Sequence, residues 1–175
     1  MKITTVTTEN DHIQLKFDQK LQKAKLIKRL NRFVAEIELN GQTVLAHTPT
    51  TGKIAGIPIE QMNCLVSGPY ENRKTAYTVE AISFWNDNDY VGINQNFANR
   101  LIEHCLQTEY VQEILGVTGA LKREVKVNDS RLDFQIGRSF VEVKTLVNTW
   151  YGKRALPTTP TAAYSSVERM HKHVN

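Results

Sequence analysis

Short runs of alternating apolar and polar residues, separated by turn residues, fill the first half of the chain. Asn40-Gly41, Gly68-Pro69 and the segments 49–52 and 86–89 are the turn and loop signals between them. Alternation of this kind is typical of half-buried strands. It predicts strands over residues 24–39 (bent or bulged), 43–47, 62–67, 78–84 and 90–93. Five short antiparallel strands within roughly 80 residues predict a small OB-like β-barrel.

The spacing of apolar residues lengthens to three and four after residue 94, which indicates an amphipathic helix opening near Asn94 or Asn96. A second, shorter helix is predicted to begin at Thr108 and to end at Gly116. Strands are then predicted over residues 122–127, 130–136 and 140–146. The fold class is therefore α+β, with a barrel over residues 1–92 and an α/β domain over residues 93–175.

Gly137-Arg138 is predicted to form a two-residue hairpin turn of type II′, which prefers glycine at its first central position. Such a turn pairs Ile136 with Ser139. Because side chains alternate across a strand, the register puts one set of residues on a common apolar face. That set is Leu132, Phe134, Ile136, Val141 and Val143.

The opposite face of this hairpin is polar, with Asp133 facing Glu142 and Arg131 facing Lys144. Facing side chains have Cβ atoms about 4.5–5.5 Å apart, so two carboxylates there repel each other unless a cation lies between them. Mg²⁺ or Mn²⁺ would suit the pair, since hard cations bind carboxylates and keep waters for a phosphate substrate. An ordinary surface network, in which Arg131 and Lys144 neutralise the acids, is the open alternative.

The charge of the whole chain is mildly basic, +4 with a pI near 9.1. Seven cationic residues and one acid lie between residues 16 and 32, and Lys28, Arg29 and Arg32 are the candidates for contact with phosphate. A solvated basic edge explains the run equally well. Four aromatic residues of this half are candidates either for stacking on nucleic-acid bases or for core packing: Phe33, Tyr70, Tyr77 and Trp85.

The amino-terminal residues lack the apolar run of a secretory signal, and no stretch approaches the roughly 18 apolar residues that would span a bilayer. Cys64 and Cys105 lie far apart without metal-ligand spacing. The sequence therefore predicts a cytoplasmic protein with reduced thiols and no membrane association.

Two hairpin segments, SRLDF at residues 130–134 and FVEVK at residues 140–144, resemble the D…ExK signature of the PD-(D/E)xK nuclease superfamily. The chain is similar, more narrowly, to the sugar fermentation stimulation protein family. Further matching segments follow in order between residues 26 and 126. They are LIKRLNRF, HTPTTG, Arg73-Lys74 before YTVE, VGIN, NRLIE and KREVK.

This resemblance implies an OB-like domain followed by a restriction-endonuclease-like domain, and binding of DNA or another nucleic acid without strong sequence preference. It implies that Asp133 and Glu142 are metal ligands and that Lys144 is the catalytic lysine. Glu103 would supply a further acid to the metal and to catalysis, although Glu124 competes for that role and Glu103 also suits an exposed helix position. Among the basic residues, Arg131 would contact phosphate or brace Glu142, and Arg73, in a matching segment, is assigned to nucleic-acid binding.

The carboxy-terminal part departs from the family pattern, since Thr158 stands where relatives have an aspartate. Only 31 residues follow Lys144 (175 − 144), fewer than a nuclease-like core needs. The second domain is therefore expected to be C-terminally incomplete. The sheet edge left exposed would favour a homodimer.

Two classes of function are compatible with these features. The first is a Mg²⁺-dependent phosphodiesterase acting on DNA or RNA. The second is a non-catalytic DNA-binding protein, in which the acidic site is vestigial and which, as the family name suggests, regulates sugar (maltose-type) metabolism.

Overall fold

The computed structural model describes residues 3–7, 13–50, 59–84, 89–144, 150–151 and 154–155. Two helices lie in this part, α1 (Gln95–Leu106) and α2 (Glu109–Leu115). The strands before them are β1 (Ile3–Thr7), β2 (Ile13–Phe17), β3 (Gln22–Arg29), β4 (Val34–Leu39), β5 (Gln42–His47), β6 (Asn63–Ser67), β7 (Tyr77–Ile82) and β8 (Val91–Gly92). Those after them are β9 (Leu121–Val127), β10 (Ser130–Ile136), β11 (Ser139–Val141), β12 (Trp150–Tyr151) and β13 (Arg154–Ala155).

The chain divides into two compact units. The first, called the barrel here, contains β3–β8 together with the β12–β13 pair. The second, called the helix–hairpin unit, contains the β1–β2 hairpin, both helices and β9–β11. Within the described residues no helix is long and apolar enough to cross a membrane.

The barrel is a six-stranded sheet in the order β5-β4-β3-β6-β7-β8, closed by a parallel pairing of β5 with β7. Asn40 and Gly41 have φ angles of +52° and +77°, which suit the tight turn between β4 and β5. The pairing of β3 with β4 shifts between Leu26 and Lys28, a bulge that bends the sheet toward closure. The closed barrel confirms the OB-like prediction for the first half of the chain.

Apolar side chains from β3–β7 fill the interior of the six-stranded sheet, and Ile59, Phe84 and Ile93 from the connections join them. The buried set is Ala24, Leu26, Ala35, Ile37, Leu39, Ala46, Ile59, Cys64, Val66, Val79, Ile82, Phe84 and Ile93. One carboxylate, Glu80, is buried in the barrel with 4% of its surface exposed. Ser67 Oγ donates to one of its oxygens and Asn94 Nδ2 donates to the other. This pairing satisfies a group that is otherwise costly to bury.

In the helix–hairpin unit, the short helix α2 is fixed at both ends. Thr108 is its N-cap and accepts a hydrogen bond from the Val111 backbone, and Gly116 ends it in a left-handed conformation at φ +63°. The sheet runs in the order β11-β10-β9. Its apolar face packs with the helices in a small core of Leu106, Phe134 and Val143, bordered by Ala98, Ile102, Val111, Leu121 and Val141. Helices followed by a sheet confirm the α+β class.

Two strand predictions were wrong. The single bent strand predicted over residues 24–39 is two strands, β3 and β4, joined by a turn in which the Asn31 side chain accepts from the backbone N–H groups of Phe33 and Val34. The strand predicted over residues 140–146 ends at Val141. The hairpin β1–β2 was not predicted, since threonine and other polar residues interrupt its apolar pattern.

Several predictions fall on residues outside those described. They concern Trp85, Thr158, residues 145–146 of the last predicted strand and the carboxy-terminal elements of the second domain. The homodimer and the boundary near residue 92 stay predictions as well. The homodimer was predicted to form through an exposed sheet edge, and β9 and β11 are the edge strands of the described three-stranded sheet.

Candidate metal site on the β10–β11 hairpin

The hairpin register follows the predicted turn. Ile136 pairs with Ser139 and Phe134 with Val141, and Gly137 has the positive φ (+56°) that a type II′ turn requires at its first central position. Phe134 and Ile136 are buried, whereas Asp133 and Gln135 on the alternate face are partly exposed. The predicted division into an apolar and a polar face is therefore confirmed.

Beyond Val141 the backbone ladder is replaced by side-chain contacts. The backbone N–H of Val143 donates to Asp133 Oδ2 at 2.7 Å. The backbone N–H of Asp133 in turn donates to Glu142 Oε2 at 3.4 Å. These two bonds explain why β11 ends early, because the Asp133 carboxylate takes the Val143 donor that a longer ladder would use. They also bring Asp133 and Glu142 together, as the sequence predicted.

Lys144 belongs to the same cluster. Its Nζ contacts Glu142 Oε1, and its side chain is 31% exposed against 22% for Glu142. Asp133, Glu142 and Lys144 thus form one group on the polar side of the hairpin.

The charge of Asp133 is poorly accommodated in this environment. Burial raises the pKa of its carboxyl group, and the adjacent negative charge of Glu142 raises that pKa further. The Val143 N–H, the Asn99 side chain and Lys144 lower it, but the net shift of the pKa is upward. A cation between the two carboxylates would favour the charged form of both.

Asn99, on α1, is a site residue that the sequence analysis did not identify. Its Nδ2 donates to Asp133 Oδ1 at 3.0 Å. Its own oxygen, Oδ1, is buried and accepts no hydrogen bond from any residue in the described ranges. A buried amide oxygen without a donor is unusual in folded proteins and indicates that a ligand, water or cation belongs beside it. No signal within the helix sequence distinguishes Asn99, since the contact joins residues 34 positions apart.

Glu103 and Glu124, the two further acids considered, lie apart from this group. Glu103 forms a salt bridge with Arg123 at 3.0 Å. Glu124 lies on β9 and pairs with Arg131 at 3.8 Å. In the described part of the chain, no three His, Cys, Asp or Glu side chains are close enough to hold one metal ion. The structure therefore does not bring Glu103 to the acid pair, because Arg123 holds it.

Glu124, on β9 at the position opposite Asp133, has a strained backbone conformation. Leu132 pairs with Val125 and Phe134 with Arg123, but Asp133 and Glu124 between these pairs form no ladder pair. Glu124 has φ +51°, a conformation that costs an L residue about 1–2 kcal/mol. Such strain is typical of functional sites.

The donor set at the hairpin suits a hard divalent cation. Asp133 and Glu142 offer carboxylate oxygens, and Asn99 offers an amide oxygen, all of the type that Mg²⁺ and Mn²⁺ prefer. Neither cysteine is a metal-ligand candidate here. Cys64 is buried in the barrel, and Cys105, on α1, belongs to no metal-ligand cluster among the described residues.

Three of the five predicted nucleic-acid-binding residues are already held by an ion pair or by backbone oxygens. Lys28 pairs with Glu36 at 3.3 Å, and Arg131 pairs with Glu124 as described. Arg29 is half-buried, and its Nη2 donates to the backbone oxygens of Arg32 and Thr50. Burial lowers the pKa of Arg29. Its role in the structure is to brace these two carbonyls.

Arg73 and Arg32 both lie over aromatic rings, and Arg73 also donates to Thr78 Oγ1. The guanidinium of Arg32 is 4.8 Å from the ring centroid of Phe33, and that of Arg73 is 4.9 Å from the ring centroid of Tyr70. Of the aromatic residues considered earlier, Phe33 is exposed, whereas Tyr77 packs against the barrel core.

Comparison with known families decides the relationship. The family description "SfsA N-terminal OB domain" matches residues 27–93, and "Sugar fermentation stimulation protein RE domain" matches residues 96–175. The chain belongs to the sugar fermentation stimulation protein family. The predicted family is therefore confirmed.

Relatives from several bacteria carry the name sugar fermentation stimulation protein homolog. One from Synechococcus is 36% identical, over 85% of this chain and 64% of the relative, and one from Clostridium novyi is 31% identical, over 86% and 65%. A third, from Bdellovibrio bacteriovorus, is 31% identical, over 91% of this chain and 70% of the relative. The chain thus spans about two thirds of the length of these family members.

A solved structure also matches. It is described as Pyrococcus furiosus SfsA in complex with Ca²⁺, and it is 26% identical to this chain with a TM-score of 0.60. The match covers 71% of this chain and 54% of that protein.

Proposed function

We propose that the chain is a Mg²⁺- or Mn²⁺-dependent phosphodiesterase that acts on nucleic acid at the Asp133–Glu142–Lys144 site. The observation that carries this proposal is the carboxylate pair on the hairpin, together with the buried, unpaired oxygen of Asn99 beside it. An ordinary surface network would not leave a buried amide oxygen without a donor. Action in the cytoplasm belongs to the same proposal.

Asp133 and Glu142 would hold the cation. When bound, it would supply Lewis-acid activation of a water and charge stabilisation at the phosphate. Asn99 orients Asp133 by donating to one carboxylate oxygen, while the Val143 N–H fixes the other. Lys144 neutralises Glu142 and holds a proton close to the attacking water and the phosphate.

The solved relative supports a hard cation. Pyrococcus furiosus SfsA is described in complex with Ca²⁺. Ca²⁺ takes oxygen ligands, as Mg²⁺ does, although it tolerates a larger and less regular coordination shell. A site of carboxylate and amide oxygens, such as the one proposed for this chain, would therefore accept either ion.

The test is a nuclease assay on DNA and RNA with Mg²⁺ or Mn²⁺, comparing the native chain with Asp133→Asn and Lys144→Ala. Each change is expected to lower the rate at least about 100-fold, because each removes a group from the reacting centre. Two neighbouring exposed residues provide matched controls, Asp129→Asn in the β9–β10 turn and Lys126→Ala on β9. Equal activity of the native chain and both site variants would exclude the catalytic role.

A second function is favoured by one observation, the capture of Glu103 by Arg123. Nuclease sites of this type often use a third acid, and among the residues that the structure describes none joins Asp133 and Glu142. A non-catalytic DNA-binding regulator of sugar metabolism would need only the basic residues of the barrel. Inactivity toward every nucleic acid, with DNA binding that weakens in Arg32→Gln, would favour this second function.

A further inference from the structure

Two arginine–aromatic pairs of the barrel, Arg32 with Phe33 and Arg73 with Tyr70, are called the stacking pairs here. In each, the guanidinium lies just under 5 Å from the ring centroid, a distance typical of a cation–π contact. Phe33 is 42% exposed and is not part of the buried core of the barrel, so its ring is open to a ligand.

The strand register brings both pairs to one end of the barrel. Val34, next to Phe33, pairs with His47 at the end of β5. His47 in turn pairs with Thr78 near the start of β7. Arg73 reaches the same place, because its Nη2 donates to Thr78 Oγ1 at 3.2 Å. The stacking pairs therefore flank the point at which the barrel closes.

The turn that carries Phe33 is held firmly. Its backbone oxygen accepts from the Thr48 N–H at 2.8 Å and lies 3.0 Å from His47 Nδ1. Asn31 Oδ1 accepts from the Phe33 N–H at 2.8 Å. Arg29 bridges the carbonyls of Arg32 and Thr50 from beneath. A turn whose backbone is fixed in this way loses little conformational entropy when a ligand binds to it.

The charges of the stacking pairs are available to a ligand. Throughout the ranges that the structure describes, neither Arg32 nor Arg73 has a carboxylate within salt-bridge distance, and both side chains are exposed. Aromatic rings beside uncompensated guanidinium groups match a ligand with flat faces and negative charges. Unpaired nucleotides have both, whereas a duplex hides its base faces inside the helix.

We propose that this end of the barrel binds single-stranded nucleic acid, with bases stacking on Phe33 and Tyr70 and phosphates contacting Arg32 and Arg73. The inference rests on the proposed function, because it takes nucleic acid as the ligand and names its single-stranded form. The binding test itself does not require cleavage.

The test uses the full chain and fluorescence anisotropy in EDTA, so that no divalent cation supports cleavage. The probe is a labelled oligothymidylate of about 12 nucleotides, a length within the range that small barrels bind, and a duplex of equal length is the comparison. Phe33→Leu keeps the apolar character and removes the ring. It is expected to weaken binding of the single strand about tenfold and to leave duplex binding within about twofold.

The matched control is Phe140→Leu. Phe140 is similarly exposed, at 47%, but lies on β11 in the other unit. It should leave single-strand affinity unchanged. Equal losses in both variants, unchanged binding in Phe33→Leu, or absence of oligothymidylate binding by the native chain would each overturn the proposal.

The charged part of the contact is tested by salt. Arg32→Gln should lower the slope of log affinity against log salt concentration by about 0.7 for the single strand, the value for one lost phosphate contact. An unchanged slope would contradict the role of Arg32. These binding results stand apart from cleavage, since Asp133→Asn should bind oligothymidylate as the native chain does while losing phosphodiesterase activity.

Discussion

The barrel and the helix–hairpin unit each place a carboxylate in a largely protected position, and the two are treated in opposite ways. Glu80 in the barrel is buried, and Ser67 and Asn94 donate to its two oxygens. Asp133 also accepts two hydrogen bonds, yet it lies against a second acid, Glu142, and its pKa is raised. The first carboxylate is complete within the protein. The second keeps a like charge beside it that the protein does not fully offset, and the proposed cation would offset that charge.

The hydrophobic cores of the two units also differ, because the barrel core is large and the helix–hairpin core is small. Phe134→Ala is expected to show this difference most strongly. Phe134 is the largest fully buried side chain, and its core has few other members. The substitution is expected to cost about 3–5 kcal/mol of unfolding free energy. Urea denaturation measures the cost, and hydrogen exchange should show protection lost in β9–β11 and kept in the barrel. Exposed Phe140→Ala is the control, with a change within about 0.5 kcal/mol. Equal loss of protection in the barrel would show that the two units do not differ in this way.

The hairpin turns of the two units provide a second contrast. Gly41 in the barrel and Gly137 in the helix–hairpin unit both have positive φ. A Cβ at Gly41 would meet nothing within 4 Å, whereas one at Gly137 would lie 2.3 Å from the Thr118 oxygen. Gly41→Ala should cost about 1–2 kcal/mol from φ alone, and Gly137→Ala about 2–4 kcal/mol, since it adds a steric clash. Thermal and urea unfolding compare them; equal costs would mean that the loop at Thr118 moves aside freely.

The two carboxylates can be compared by one chemical change, acid to amide. Glu80→Gln keeps one acceptor and aims an N–H donor at Ser67 or Asn94, both of which already donate. A cost of about 1–3 kcal/mol is expected in urea unfolding. Glu38→Gln, on the exposed side of β4, is the control and should be close to neutral. A neutral Glu80→Gln would show that the buried network rearranges and that the barrel does not depend on it.

Asp133→Asn should give the smallest change, because two effects of the substitution oppose each other. Because the pKa of folded Asp133 is raised above that of the unfolded chain, stability is lost as pH rises through the raised value. The amide removes this pH dependence but turns an N–H group toward the Asn99 and Val143 donors, a cost that does not depend on pH. In EDTA, the Tm of Asp133→Asn relative to the native chain is therefore expected to rise as the pH rises from about 4 to 7, and this relative gain should be absent below about pH 3, where the carboxyl is protonated in both states.

Mg²⁺ should favour the native chain over the variant. The cation stabilises the native chain in proportion to its binding, and Asp133→Asn should gain little. Asp129→Asn serves as the control and should respond to Mg²⁺ as the native chain does. A Tm that is unaffected by Mg²⁺ and Mn²⁺ in the native chain would contradict the metal site.

The sequence predicted most of the hairpin because its information is local. Gly137 determines the turn, and the alternation from Leu132 to Ile136 determines the face, so the bounds of β10 and the pairing of Ile136 with Ser139 followed. The end of β11 could not be predicted, since it depends on the Asp133 carboxylate taking the Val143 N–H. Asn99 and the Glu103–Arg123 pair depend on how α1 packs against the sheet, which no local pattern encodes.

In the barrel, apolar alternation predicted the individual strands but not every break between them. Leu30 and Phe33 supply apolar residues between β3 and β4, so the sequence pattern did not show the turn there. Asn31 is the residue that forms this turn. The closing contact of β5 with β7 joins segments about 30 residues apart, and only the expected architecture suggested it.

The burial of Cys64 gives this barrel a built-in reporter of its own opening. Cys64 lies on β6, fully enclosed, and burial raises the pKa of its thiol to about 12. The thiolate, which is the reactive form, is therefore scarce while the sheet is closed. Once the strands part, the thiol regains ordinary reactivity. Its rate of alkylation then measures how readily the barrel opens, once alkylation of Cys64 is distinguished from that of Cys105, the partly exposed free thiol of the other unit.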